Sequence, residues 1–125
     1  MANMCCTSGG RVVITANGQK WSARTAAKID YTDNERTVVA NQDGSIAVQI
    51  KPMPPKATFS ISNDCNLDLD SLEACNFDAT FDMIDARMKF FFTNATRVGR
   101  PSLNTETGEI SGIEITAQKC TWKRY

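Results

Sequence analysis

Through most of this chain apolar residues alternate with polar ones, and β-branched and aromatic types occupy the alternating positions. A period of two is the mark of strands with one face buried and the other wet, so the polypeptide is committed to a mostly β fold. Phe77, Ala79, Phe81 and Met83 alternate with Asp78, Thr80 and Asp82, Ala57, Phe59 and Ile61 with Thr58, Ser60 and Ser62, and Ile113 and Ile115 with Glu114 and Thr116. Strands are expected over 11–16, 20–31, 37–40, 46–51, 57–62, 77–84, 87–95, 109–117 and 118–125. Asn17-Gly18 tolerates the positive φ angles of a tight turn and joins the first two as a hairpin. Asn41, Gln42, Asp43 and Gly44 form the turn of another. That second pair ends at Pro52, Pro54 and Pro55, which cannot donate to a ladder and therefore mark an edge or an extended link. Segment 32–56 thus reads as a long hairpin projecting from the body. One short α-helix is expected in NLDLDSLEAC, with Asp68 as cap, Asp70 at the positive end of the dipole, and Leu69 and Leu72 on one side to plug the β core.

At 125 residues the chain is one domain, residues 11–125, preceded by a flexible arm at 1–10. Repeats and low-complexity segments are missing from the sequence, which excludes a solenoid. Fourteen Lys and Arg balance fourteen Asp and Glu, so no global field recruits phosphates or anionic lipid. His is absent, which removes the commonest general base, the usual acyl-transfer triad and imidazole metal sites. No stretch approaches the roughly 18 apolar residues of a membrane span, and MANMCCTSGGR has neither the basic nor the apolar region of a signal peptide, so synthesis in a host cytoplasm is expected.

Four groups of residues invite a chemical reading. Asp64, Asp68, Asp70 and Glu73 cluster at the helix start, where capping explains them. Gly9-Gly10 lacks the strand-to-helix context and the Lys of a phosphate loop. The cysteines, Cys5, Cys6, Cys65, Cys75 and Cys120, contain no CxxC, so no zinc or redox motif is implied, and neither metal nor cofactor is expected. Cys75 and Cys120 read as small buried hydrophobes. Five is an odd number, so at least one thiol stays free or bonds another chain, and these cysteines are the candidates for a disulfide between subunits outside the reducing cytoplasm. Cys65, three residues before the helix, is the candidate nucleophile under an alternative reading as a soluble β-barrel with a reactive thiol, with Cys120 as the other. Arg97, Arg100, Lys119, Lys123 and Arg124, interleaved with Trp122 and Tyr125, suit a strand ending at a subunit interface better than a nucleic-acid stacking platform.

The phrases RVVITANGQKW, NERTVVANQDGSIAVQIKPMPPKATFSIS, DCNLDLDSLEACNFDATF and GEISGIEITAQ, in that order over residues 11–117, resemble the Mu-like tail tube proteins of contractile phages. That resemblance implies a two-sheet antiparallel β-sandwich or barrel, six copies in a ring, and rings stacked into a hollow conduit for genomic DNA. It also implies a sheath around the tube, baseplate and terminator proteins at its ends, and residence in the virion tail, without enzymatic activity. The long hairpin then reaches the next ring, with Asp33, Asn34, Glu35, Arg36, Asn41, Gln42, Asp43 and Gly44 as the stacking residues. The tube of a type VI secretion system is the alternative within the same architecture. A lumen that does not grip a polyanion should carry more Asp and Glu than Lys and Arg.

Overall fold

A computed structural model describes residues 8–65, 67–73 and 75–125, the side chains of residues 71 and 72 excepted. Cys5 and Cys6 therefore lie outside the described residues. The strands are β1 (Val12–Ala16), β2 (Gln19–Trp21), β3 (Lys28–Asp30), β4 (Asn34–Ala40), β5 (Ile46–Pro52) and β6 (Lys56–Ser62). After a short helix follow β7 (Phe77–Met83), β8 (Met88–Val98), β9 (Ser102–Leu103), β10 (Glu109–Thr116) and β11 (Lys119–Arg124). Every strand pairing is antiparallel.

Nine strands form one hydrogen-bonded sheet, seven of them along the path β2-β1-β7-β8-β10-β6-β3, with β11 added to β8 and β9 to β10. The path turns at β8, whose residues Met88 to Thr93 pair with β11 while Thr96 to Val98 pair with β10. The first sheet (β2, β1, β7, β8, β11) therefore faces the second (β3, β6, β10 and the end of β8), and the apolar set of each strand meets between them. Trp21, Ile14, Phe81 and Phe92 from the first are buried with Ala57, Phe59, Ile61, Ile113 and Ile115 from the second. Phe59 and Phe81 bridge the two sheets edge to face with centroids 5.4 Å apart, and Phe92 continues the stack at 5.3 Å. Such contacts add about 0.5–1.5 kcal/mol to the burial of the rings themselves.

The Asn17-Gly18 hairpin forms as its sequence dictates, both residues at positive φ (53° and 77°). Other boundaries differ. The strand expected over 20–31 is two strands, because at Ser22–Ala27 the chain leaves the first sheet for the second: Ala23 bridges Ile61, and the Arg24 amide donates to the Ser60 carbonyl. The expected α-helix is a 3-10 helix, Leu69–Glu73, too short for an apolar stripe. Asp68 does cap it, accepting from the Asp70 amide at 3.0 Å, but Leu69 is exposed and Leu67 is the residue that packs on the core. Cys75 is exposed rather than buried because it lies in the turn before β7, next to Asn76 at φ 61°. β8 runs three residues beyond the expected strand end, and the turn-rich stretch before β10 contains β9.

Candidate functional site: an uncovered ribbon

β4 and β5 form a sheet of their own, hydrogen-bonded to no other strand among the described residues. Their register sets Arg36 against Ile50, Val38 against Val48 and Ala40 against Ile46 on one face, and Glu35 against Lys51, Thr37 against Gln49 and Val39 against Ala47 on the other. One face is thus an apolar stripe and the other mostly polar. The stripe is bare: Val38 is 63%, Val48 58%, Ile46 66% and Ile50 61% exposed. A contiguous apolar face of this kind marks an interaction surface.

The tip is tied by its own side chains. The Asn41 amide donates to the Ser45 carbonyl and the Gly44 amide to the Asn41 carbonyl, with Gly44 at φ 88°. Asp43 accepts from the Ser45 hydroxyl at 2.6 Å and the Ser45 amide at 3.0 Å, and these bonds hold its carboxyl below the usual carboxylate range. At the root the Met53 amide donates to the Asp33 carbonyl and the Asn34 side-chain amide to the Asp33 carboxylate. Asp33, Asn34, Glu35 and Arg36 therefore cluster at the root, and Asn41, Gln42, Asp43 and Gly44 at the tip. The two sets are separated by the length of a seven-residue strand, roughly 23 Å. Between them lie Val38, Ile46, Val48 and Ile50, which a reading centred on polar turn residues passes over. The signal for them is in the sequence: equal parity of Arg36, Val38, Ala40 and of Ile46, Val48, Ile50 across one hairpin.

Flanking the root are two open clefts of about 540 and 510 Å³. The first runs between Tyr31, Asp33 and Arg36 on one side and Gln118, Lys119 and Cys120 on the other. Burial pushes the Cys120 thiol up to about 11, so at neutral pH it is a thiol and not a nucleophilic thiolate. Cys65 and Cys75 lie exposed at the two ends of the segment linking β6 to β7, and the three described cysteines are all free. No group of three or more metal-ligating side chains forms among the described residues.

A second uncovered region lies at the edge of the first sheet. One inward-facing row reads Trp21, Ile14, Phe81, Phe90, Trp122 across five strands. Trp21, at one end, is 1% exposed under Phe59, whereas Trp122, at the other, is 51% exposed, because the second sheet ends before it. Tyr31 reaches Phe90 at 6.1 Å and is itself half exposed.

The sequence model of the phage tail tube protein family matches residues 7–122. The chain belongs to that family. The match passes beyond residues 11–117 at both ends, and it makes the protein a tail tube structural subunit. Among solved structures this tail tube chain is similar to the tube-terminating cap of the anti-feeding prophage, with a TM-score of 0.64 and 13% identity over 100% of this chain and 95% of that one. It is similar also to a chain of the sheath-tube complex of an extracellular contractile injection system, PVC (0.63, 12%, 92% and 89%), and to Hcp1 from Flavobacterium johnsoniae (0.59, 12%, 91% and 95%). At these identities the likeness is one of fold. A comparison with curated protein sequences finds no match.

Proposed function

We propose that this tube subunit closes into six-membered rings and that the β4–β5 ribbon of each copy lies against the next ring, where its apolar stripe is covered. The observation that carries this reading is the bare row of Val38, Val48, Ile46 and Ile50 on a ribbon with no partner of its own. Covering each of these side chains from its present exposure contributes about 1–2 kcal/mol, and repetition around a ring multiplies it. Head-to-tail contacts either close into rings or continue as filaments, and this assembly uses both. The root and tip residues Asp33 to Arg36 and Asn41 to Gly44 fix the ribbon's angle and finish its end. The role is mechanical, a wall for passing DNA inside a sheath, between baseplate and terminator, in the virion tail. Inter-subunit bonding through Cys65 or Cys75, exposed as they are, would reinforce it.

The second sheet's outer face is the better lumen, being the less basic one. It carries Asp30, Glu109 and Glu114 against Lys28, Lys56 and Arg24, whose guanidinium donates to Ser62, among Thr58, Ser60 and Thr116, whereas the first sheet's outer face carries Lys20, Lys89, Lys119 and Lys123 against Asp78 and Asp82. A charge-balanced face of hydroxyls does not grip a polyanion, and the lysine excess of the other face would hold it.

Negative-stain microscopy of V38K/V48K tests the stacking role. Lysines at this cross-strand pair should leave single rings and a folded body while abolishing long tubes; undiminished tubes would overturn the assignment. A secretion-type tube is the second reading, favoured by the fold likeness to the PVC sheath-tube chain. DNA or protein inside purified particles separates the two.

A further inference from the structure

The aromatic row of the first sheet runs out from under its cover at β11. Cys120, Trp122 and Arg124 share one face of that strand, opposite Phe92, Phe90 and Met88 of β8. Phe92 and Phe90 are buried, and Trp122, one strand further out, is half exposed. Beside Phe90 stands Tyr31, directly after β3, with its ring 6.1 Å away and half exposed as well. The Arg124 guanidinium lies over the Trp122 indole at 5.9 Å. Trp, Tyr and Arg are the residue types that most often anchor a contact between proteins, because each joins a large apolar area to a polar handle. Here all three border the same stretch of β8, at the mouth between the two sheets.

The same corner holds the root of the ribbon. Tyr31 and Cys120 also line the cleft of about 540 Å³ that separates Asp33 and Arg36 from Lys119, and a cleft of about 510 Å³ opens on the ribbon's other flank beside Met53 and Pro54. Clefts on both flanks mean that the body does not brace the ribbon. Its root bond, from the Met53 amide to the Asp33 carbonyl, ties one strand to the other and neither to the body. The chain is held again at buried Pro55, whose carbonyl accepts from the Ala117 amide at 3.0 Å. The links 31–33 and 53–54 therefore set the ribbon's direction, and a two-stranded ribbon on such links is marginal until something packs beside it.

In a tube the outer faces of the two sheets are the inner and outer walls. A mouth between the sheets then opens sideways, onto another copy of the chain and not onto DNA or sheath. The cleft beside the root is entered from the ribbon's flank, whereas the next ring meets the stripe and the tip. We infer that the neighbour within the same ring fills this corner, covers Trp122 and Tyr31, and braces the ribbon root, so that ring closure aims the ribbon before rings stack. This rests on the tube reading, which supplies the neighbour.

Fluorescence reads the contact, because the chain has two tryptophans and Trp21 is buried. Acrylamide quenching in the free subunit is expected to come from Trp122 and to fall severalfold when V38K/V48K closes into single rings. Protection that appears in stacked tubes but not in single rings, or in neither, would overturn the inference. W122A and Y31S, each with circular dichroism unchanged, should raise the concentration needed for rings at least about tenfold and lose tubes with them, while W122F stays near the unaltered chain. Rings from W122A and Y31S at the unaltered concentration count against it. Hydrogen exchange in V38K/V48K rings should slow at residues 34–36 and 51–53 relative to the free subunit and stay fast at 41–44. Root amides that exchange as in the free subunit would show that nothing braces the ribbon. Rings in which Trp122 is still quenched refute this contact and leave the tube reading standing, whereas no ring or tube under any condition overturns both.

Discussion

Asp85 shows how a single side chain can fix where the body begins. Its carboxylate accepts from the Arg11 backbone amide at 2.9 Å and from the guanidinium at 2.8 and 3.2 Å, and these hydrogen bonds hold its pKa at about 2. A carboxyl whose folded pKa lies below its unfolded value adds stability above the unfolded value of about 3.9 and loses it as pH falls through the folded one. D85N is therefore expected to flatten the acid limb of an unfolding profile between roughly pH 4 and 2. Gly10 is part of the same arrangement. At φ 130° a Cβ there would stand 2.5 Å from the Asp85 carboxylate oxygen, so G10A should displace the carboxylate and flatten the same limb. In the core, F81A removes the ring that touches both Phe59 and Phe92 and should cost about 3–5 kcal/mol in denaturant unfolding. Among the described thiols, alkylation at neutral pH should reach exposed Cys65 and Cys75 well before Cys120, followed by mass spectrometry of timed samples.

At the scale of the element, the ribbon is the least self-sufficient part of the chain. A lone two-stranded hairpin is marginally stable in water, so its amides should exchange quickly in the free subunit and slowly in assembled tubes. Equal exchange in both states would show that nothing covers it. The same isolation explains which parts of the fold were legible in the sequence. Alternation read well wherever one face packs, as in Phe77–Met83 and Lys56–Ser62, and Asn17-Gly18 announced its turn because few other dipeptides tolerate two positive φ angles. It failed at Asn34–Arg36, where a polar run is a strand because both faces of the ribbon are in solvent and burial imposes no pattern. Ser22–Ala27 looked like continuous strand because leaving one sheet for another is decided by tertiary partners, here Ile61 and Ser60. The polar residues of the proposed stacking site are identifiable as turn formers, but the apolar stripe needs the register that only pairing supplies.

The whole molecule presents two outer faces of unequal charge, one balanced and one basic, and the balanced one is the proposed inner wall. If the second sheet lines the passage, D30K/E114K should slow genome release from particles whose tubes look normal, with release kinetics as the readout. An equally fast release would favour the first sheet as the inner wall. β8 joins these faces in a way that bears on strength. One uninterrupted backbone lies in the ladder of the first sheet at Met88–Thr93 and in that of the second at Thr96–Val98. A push delivered to one sheet therefore travels to the other through covalent bonds and rows of hydrogen bonds, not through oily contact alone. A wall laminated in this manner resists having its plies slide apart when the shell around it shortens.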